Sequence, residues 1–388
     1  MNEKSQQIIQ KLPVPKQRYL STELLNSCYD DLHKYHSVWL ESDYYKYPEK
    51  LRFIQNNELQ NVCSLSSIDT SIQKYILSHH SFYQTTTFSI GSNTYKMHFY
   101  YLTKHNKHQT KIVDYLNDCL MKIYVWLHFI QPFIVKNCSQ TMNVYIIFSQ
   151  HKKKISKRGG VLDSVHVNSA FTTSCQLQTE IYIYRIEEWM KVFFHETFHC
   201  LGLDFSHLND VSYETKINQM FDVDSKQGIR LYESYCECWA NLFSTIVRSF
   251  FQSDDKHHYK LLCKQDHLSE VQFSSYQLIK ILNHYHTTYE QYVNHRGKIT
   301  ENTPILSYYI IKCVLLYYCS DFEQWCKTYN GKYFLTFREK NVSKFIDFIR
   351  EKYKTSFFML YIKNIESKLS TIELTDELVH TMRMTLHE

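Results

Sequence analysis

Alanine, glycine and proline are scarce in this chain of 388 residues, which contains two alanines, seven glycines and five prolines. Their codons are rich in G and C, so the scarcity indicates AT-rich coding and makes each remaining glycine or alanine more informative. We find no internal repeat and no low-complexity segment. The length and the 44% of apolar residues instead predict a globular protein of about two or three structural units.

The sequence also lacks a signal peptide and any uncharged apolar run long enough to cross a bilayer. Its first twenty residues contain four basic residues with no apolar core between them. The net charge of +5 and the isoelectric point near 8.4 are modest for this length and come largely from clusters such as residues 152–154. We therefore expect an intracellular, cytoplasmic protein that is not secreted and binds neither membranes nor nucleic acid.

The sequence also lacks the cysteine pattern that indicates a disulfide framework. The twelve cysteines are scattered between Cys28 and Cys326 in a chain without a secretory signal. Cysteines in such a chain are normally reduced. We expect them to be reduced and buried.

The middle of the chain shows first a strand pattern and then a helix pattern. Residues 85–90 and 94–102 are rich in β-branched and aromatic side chains and flank Gly91-Ser92-Asn93, which predicts a hairpin. Residues 112–133 have a period of 3.6 and predict a long helix that ends at Pro132. Further strands are predicted at 143–148, 164–171 and 180–185, which makes about five in total.

From residue 186 the period is again helical as far as the stop signal Gly202, so a strand leads directly into this helix. An irregular connection is predicted over 204–228, and a second helix over 229–251. The remainder is predicted to be helical, with a helix start at Thr303-Pro304. The expected fold is α+β, with a helical N-terminal extension over 1–80, a core with a twisted mixed sheet over 81–250 and a helical C-terminal subdomain over 251–388.

The helix that ends at Gly202 contains His195-Glu196-Thr197-Phe198-His199. Two histidines four residues apart lie on one helix face, so their imidazole nitrogens can reach one tetrahedral zinc ion. Zinc lowers the pKa of a bound water, and Glu196 can take the proton of that water and pass it to the leaving amine. The pattern predicts one zinc ion per chain and hydrolysis of peptide bonds.

The bare five-residue pattern also arises by chance in ordinary helices with two partly exposed histidines. Three features of the context favour the zinc site. The helix is predicted independently of the motif, a strand enters it directly, and a candidate third ligand follows downstream.

Residues from about 80 to 250 resemble the catalytic core of gluzincin-type zinc metallopeptidases. The resemblance rests on His195-Glu196-x-x-His199 and on Glu233-x-x-Cys236-Glu237, a small share of the chain. It implies a zincin-like core with Glu233 as the third zinc ligand and with Glu237 accepting a hydrogen bond from a ligand histidine. A shifted alignment makes Glu237 the ligand instead, since both carboxylates share one helix face.

The metzincin pattern would supply a different third ligand. In that pattern a glycine three residues after the second histidine turns the chain, and a histidine or aspartate three residues further completes the site. Gly202 is in place here, but Phe205 occupies the ligand position and cannot bind zinc. We therefore set this pattern aside and keep His207 as an alternative.

In zincins the substrate lies antiparallel along the edge strand and adds to the sheet through main-chain hydrogen bonds. By this resemblance the edge strand is either 164–171 or 180–185, and Asn168 could contact the substrate backbone. An oxyanion stabiliser is also required. Tyr308, Tyr309 and His207 are candidates, although packing in the core is the commoner role of a tyrosine in a chain that has 32 of them.

Segments 185–189 and 201–205, together with the AT-rich composition, are similar to metallopeptidases proposed for large DNA viruses, which would place the protein in the host cytoplasm or the virion. The expected function is that of a zinc metallopeptidase, an endopeptidase rather than an exopeptidase, acting on a protein or peptide substrate. The alternative is a zincin-fold protein that binds zinc as a structural or interaction module, for example in a virion, without significant turnover. The intact Glu196 favours the enzyme.

Overall fold

The computed structural model describes residues 1–16, 19–42, 51–54, 58–59, 65–103, 109–208 and 211–387. The chain divides into two units, each assembled from separate parts of the sequence. The first unit contains residues 1–25, 153–167 and 204–388, and the second contains residues 26–152 and 168–203. The limits of these units do not coincide with the predicted boundaries near residues 80 and 250.

The second unit is built around a six-stranded sheet. In chain order its strands are β1 (Arg52–Ile54), β2 (His80–Ile90), β3 (Asn93–Thr103), β4 (Thr141–Phe148), β5 (Ala170–Thr172) and β6 (Gln178–Ile183). Across the sheet the order is β1-β2-β3-β4-β6-β5, with parallel pairs at β3–β4 and β4–β6 and antiparallel pairs elsewhere. The expectation of an α+β fold with a mixed sheet is confirmed.

Helices make up most of the remaining described chain. They are α1 (Glu3–Gln10), α2 (Thr22–Glu41), α3 (Thr70–Leu77), α4 (Gln109–Ile130), α5 (Ser164–Val167), α6 (Trp189–Cys200), α7 (Val211–Asn218), α8 (Tyr232–Gln252), α9 (Lys256–His284), α10 (Tyr289–Tyr292), α11 (Lys312–Tyr317), α12 (Cys319–Asn330), α13 (Val342–Lys352), α14 (Ser356–Leu369) and α15 (Asp376–His380). A π-helix spans Leu306–Ile311. The first unit also contains a parallel pair of short strands, β7 (Val223–Ser225) and β8 (Ile299–Glu301).

The predicted hairpin is confirmed as β2 and β3. Ile90 pairs with Asn93, so Gly91 and Ser92 form a two-residue connection. Gly91 has a φ of +57°, in the left-handed region that such a turn requires and that glycine adopts without steric cost. The long helix predicted over 112–133 is also confirmed, as α4 and a short 3₁₀ turn after it.

One face of the sheet carries a row of stacked rings. His98 on β3 stacks on Tyr145 on β4 with ring centroids 4.6 Å apart, and Tyr145 stacks on Tyr182 on β6 at the same distance. Phe171 on β5 continues the row at 4.8 Å from Tyr182. Because these residues are direct partners in the strand register, the row also holds that register in place.

The strand predicted over 164–171 is wrong for most of its length. Residues Ser164–Val167 form one helical turn, in which the Asp163 side chain accepts a hydrogen bond from the Val165 backbone N–H at 3.2 Å. This local side-chain bond overrides the β-branched composition. Only Ala170–Thr172 is a strand. The alternative that 180–185 forms the edge of the sheet is also wrong, since β6 lies between β4 and β5.

The connection predicted to be irregular over 204–228 contains a helix and a strand. α7 and β7 lie within it. β7 finds its partner β8 about 75 residues later in the chain, a pairing that no local pattern indicates. The second helix predicted over 229–251 is confirmed as α8.

Cys138 and Cys175 form a disulfide bond, so the expectation of reduced cysteines is wrong for this pair. Cys138 precedes β4 and Cys175 lies in the connection between β5 and β6. Backbone hydrogen bonds from Ser139 to Gln176 and from Thr141 to Leu177 hold the two segments together. Nine further cysteines among the described residues are free and buried, as expected.

No helix in the described ranges is both long and apolar enough to cross a bilayer.

Candidate metal centre

The helix α6, which carries the histidine motif, has well-defined ends. Just before it, Glu188 has a φ of +61°, an uncommon conformation for a residue other than glycine, and its carbonyl accepts the first helical hydrogen bond from Val192 at 2.9 Å. After it, Gly202 has a φ of +71°. Its N–H donates to the His199 carbonyl while that of Leu203 donates to Phe198, which is a Schellman end. The predicted stop at Gly202 is confirmed.

His195 and His199 lie one turn apart on α6 and point toward the same place. Their Nε2 atoms are 3.0 Å apart, and their ring planes are inclined by 77°. Two histidine nitrogens bound to one tetrahedral zinc ion at about 2.0–2.1 Å would be separated by roughly 3.3 Å. The observed separation is close to that value, so the pair fits a shared zinc ion without a change of rotamer.

The motif helix is anchored to α4 by one polar and one aromatic contact. The indole Nε1 of Trp126 donates a hydrogen bond to Thr197 Oγ1 at 3.1 Å, and its ring lies 4.3 Å from that of Phe194. Thr197 in turn donates to the Phe194 carbonyl at 2.7 Å. α6 also packs against β6 and β5. The two histidines therefore project from a helix that is fixed on more than one side.

Glu196 lies between the histidines in sequence and is only 7% exposed. Tyr184, which the sequence did not single out, follows β6 in the same unit. Burial raises the pKa of its hydroxyl, Arg185 lowers it, and the negative charge of Glu196 raises it further. The one signal in the sequence that could have indicated Tyr184 is its position at the end of the strand that leads into the motif helix.

Arg185 connects the segment after β6 with Asn168, two residues before β5. It is fully buried, and its Nε donates to the Asn168 carbonyl at 3.0 Å while its Nη1 donates to the His151 carbonyl at 2.9 Å. Burial lowers the pKa of this guanidinium, and nearby acidic groups offset part of that effect. The Asn168 carbonyl is therefore occupied by Arg185, and Asn168 stays a candidate for substrate contact through its other polar groups.

Glu233 and Glu237 lie one turn apart on α8, in the first unit, and are 6% and 1% exposed. Cys236, between them, donates through its thiol to an Asp204 carboxylate oxygen at 3.7 Å. Asp204 also accepts from the Ser206 hydroxyl at 3.0 Å. Both glutamates therefore lie in a buried part of α8 and not on a solvated acidic face.

The remaining candidates differ in their surroundings. His207 is exposed, and its Nε2 lies 2.5 Å from a Glu339 carboxylate oxygen. Tyr309 is fully buried, and its hydroxyl donates a hydrogen bond to the Met382 carbonyl at 2.6 Å. Both observations indicate a structural role in the core. Tyr308 precedes it in the π-helix, a conformation that is rare and frequent at functional sites. The neighbouring Ser307 donates to the Arg230 carbonyl at 2.9 Å, just before α8 begins.

Comparison with known proteins gives no match from which a function could be transferred, so the functional proposal depends on the residues of the candidate site. No protein-family model matches the chain, and no curated protein and no solved structure matches it either.

Proposed function

We propose that this protein is a zinc-dependent metallopeptidase with a zincin-like core. The observation that carries the proposal is the 3.0 Å separation of the His195 and His199 Nε2 atoms on a buried, well-anchored helix that also bears Glu196. Two imidazoles and a carboxylate in this order supply both a metal site and a general base.

Glu233 is the proposed third ligand. His195, His199 and Glu233 each offer a ligand atom of a type that zinc binds. Glu233 lies in the first turn of α8, where the partial positive charge of the helix N-terminus favours an ionised carboxylate. Glu237 lies one turn further from that end and remains the alternative ligand. This difference supports Glu233, as does its place in the sequence pattern.

Zinc in such a site would polarise the scissile carbonyl and lower the pKa of a water molecule toward neutrality. Glu196 accepts the proton of the attacking water and later donates it to the leaving amine, so the peptide bond breaks while a new carbon–oxygen bond forms. The substrate would be a protein or peptide, and cleavage would be internal to its chain.

The edge strand β5 offers a place for the substrate. It pairs antiparallel with β6 on one side and with no other described strand on its opposite side. An extended peptide could pair with this free side through its main chain. With only three residues, Ala170–Thr172, β5 provides few such bonds, so contacts to substrate side chains would have to supply much of the affinity.

The test combines zinc analysis with peptide cleavage. We expect the purified wild type to contain one zinc ion per chain and to cleave a mixed peptide library. Glu196→Gln should keep the zinc and lose at least about 100-fold in cleavage rate, because the general base is gone. The exposed Glu373 offers a matched control, and Glu373→Gln should behave like the wild type.

Two results would contradict the proposal. A Glu196→Gln variant that cleaves like the wild type would show that the activity does not use this site. Zinc-loaded wild type that cleaves no peptide would favour the alternative, a zinc-binding structural or interaction module.

A further inference from the structure

A cleft of about 400 Å³ opens in the first unit among α9, the end of α14 and α15. Its volume falls within the range of about 300–1,000 Å³ that is typical of sites for small molecules. Tyr276, Ile279 and Lys280 line it from one face of α9, and Leu369, Leu374 and Val379 line it from the segments that follow. The metallopeptidase proposal uses none of these residues.

Lys280 is the one cation among the residues that line this cleft. Its Nζ donates hydrogen bonds to the carbonyls of Leu378, at 3.0 Å, and of Thr381, and it lies 5.1 Å from the centre of the Tyr276 ring. All of these partners are neutral. Burial lowers the pKa of this ammonium well below its ordinary value, and no nearby carboxylate offsets the effect. The amine therefore stands at the cleft with no carboxylate beside it in the described part of the chain, and an anion bound there would stabilise its protonated form.

Glu366 is the one carboxylate among the lining residues, and it does not neutralise Lys280. Its Oε1 accepts a hydrogen bond from the Tyr289 backbone N–H at 3.3 Å. Burial raises the pKa of Glu366, and the charges that act on it are those of Glu290 and Lys363, not that of Lys280. The acid and the amine therefore act at separate places in the cleft.

The rest of the lining is largely aliphatic. The aliphatic lining residues, whose methyl and methylene groups are available to a ligand, are Ile279, Leu369, Leu374 and Val379. Val379 is 43% exposed, which leaves apolar surface in contact with water. Covering such surface is favourable because it removes apolar groups from water. The cleft thus combines one amine that lacks an acidic partner with uncovered aliphatic surface.

We propose that this cleft binds a small carboxylate with an aliphatic body, of the kind represented by a medium-chain fatty acid. The carboxylate would accept a charge-assisted hydrogen bond from the Lys280 ammonium, and the aliphatic chain would cover Ile279, Leu369 and Val379. A neutral alcohol of equal length would bring no negative charge to stabilise the protonated amine. An alkylammonium would add a second positive charge beside it. The preference for an anion follows from this charge arrangement.

Isothermal titration calorimetry of the full-length protein with octanoate, octanol and octylammonium tests the proposal. Octanoate should bind at least tenfold more tightly than each of the other two. Lys280→Met, which keeps the length of the side chain and removes its charge, should weaken octanoate binding at least tenfold. Lys264→Met removes an exposed lysine from the same helix and should leave the affinity unchanged.

Three outcomes would overturn the inference. They are the absence of octanoate binding at millimolar concentration, equal or tighter binding of octylammonium, and unchanged octanoate affinity in Lys280→Met. Circular dichroism establishes whether Lys280→Met is folded. If it is not, the wild-type comparison of the three ligands still decides the question, and Val379→Asp at the exposed rim provides a second variant that should weaken octanoate binding.

Discussion

Trp126 donates a hydrogen bond to the hydroxyl of Thr197, the residue between Glu196 and Phe198 in the histidine motif. Both side chains are fully buried. The bond ties α4 to the middle of the motif helix, so Trp126, which is not among the proposed ligands, helps to fix the helix from which His195 and His199 project.

Replacing Trp126 by Phe should lower the free energy of unfolding by about 1–3 kcal/mol, because the substitution removes a buried hydrogen bond and part of a large packed ring. Urea unfolding followed by circular dichroism measures the change. Trp325→Phe is the matched control, since Trp325 is also buried and its indole nitrogen donates to no described residue. A loss in Trp126→Phe no larger than that in the control would show that the hydrogen bond contributes little.

Zinc retention should separate the two candidate glutamates. Glu233→Ala should lose bound zinc, whereas Glu237→Ala should retain most of it, because only Glu233 is the proposed ligand. Removal of a partner that only orients a ligand typically weakens metal binding by about 10–100-fold. Elemental analysis after dialysis against a weak chelator measures the zinc content of each variant.

His195→Ala and His199→Ala should also lose zinc, and His207→Ala should retain it, because His207 is exposed and paired with Glu339. Should Glu237→Ala lose the metal while Glu233→Ala keeps it, the ligand assignment is displaced by one helical turn. Loss of zinc in His207→Ala would revive His207 as a ligand.

Acidification should destabilise the second unit through His98. Burial, together with the neighbouring Lys96, lowers the pKa of His98 from 6.5 to about 4, while its Nδ1 lies 2.9 Å from the Tyr83 hydroxyl. The unfolded chain therefore takes up a proton at higher pH than the folded chain does. The contribution to stability is fully present above pH 6.5 and is lost as the pH falls toward 4.

Comparison with His98→Phe isolates this effect, since phenylalanine keeps a ring beside Tyr145 and does not titrate. Between pH 7 and pH 4.5 the wild type should lose about 1 kcal/mol more in free energy of unfolding than the variant does, less than the full shift implies because solvent screens part of it. Equal losses in both proteins would show that His98 is protonated in the folded state at these pH values.

Reduction of the Cys138–Cys175 disulfide should lower the free energy of unfolding by about 2–4 kcal/mol, since the bond closes a loop of 37 residues and limits the freedom of the unfolded chain. Urea unfolding with and without dithiothreitol measures the loss. The double variant Cys138→Ala, Cys175→Ala should be insensitive to the reductant. Thiol titration of the unfolded wild type should give two additional thiols after reduction, and an unchanged count would show that the bond is absent.

Much of the fold could be predicted because its signals are local. The hairpin at Gly91 and the stop at Gly202 each depend on a glycine that takes a positive φ. The failure at residues 164–167 has a local cause of another kind, since the Asp163 cap outweighed the β-branched residues that follow it. The candidate site residues on α6 could be named because the two proposed ligands and the proposed base lie within about one helical turn.

What the sequence left undetermined depends on contacts between distant residues. Cys138 and Cys175 are 37 residues apart, and their pairing follows from the sheet, not from their spacing. The packing role of Tyr309 depends on the Met382 carbonyl, 73 residues away. The choice between Glu233 and Glu237 also could not be made from the sequence. Residues four apart lie on the same face of a helix, so a sequence pattern for that face does not distinguish them.

The division of the chain has a consequence for its synthesis on the ribosome. All segments of the second unit have been translated once residue 203 has emerged, whereas the first 25 residues belong to a unit that continues from residue 204 onward. Ser5 has its hydroxyl partner in Thr375, and the Leu12 carbonyl accepts from Gln272. At a translation rate of roughly 5–20 residues per second, Thr375 is synthesised about 20–70 s after Ser5. Throughout this interval the apolar side chains of Ile9 and Leu12, which are buried in the finished protein, remain open to chaperones and to other nascent chains.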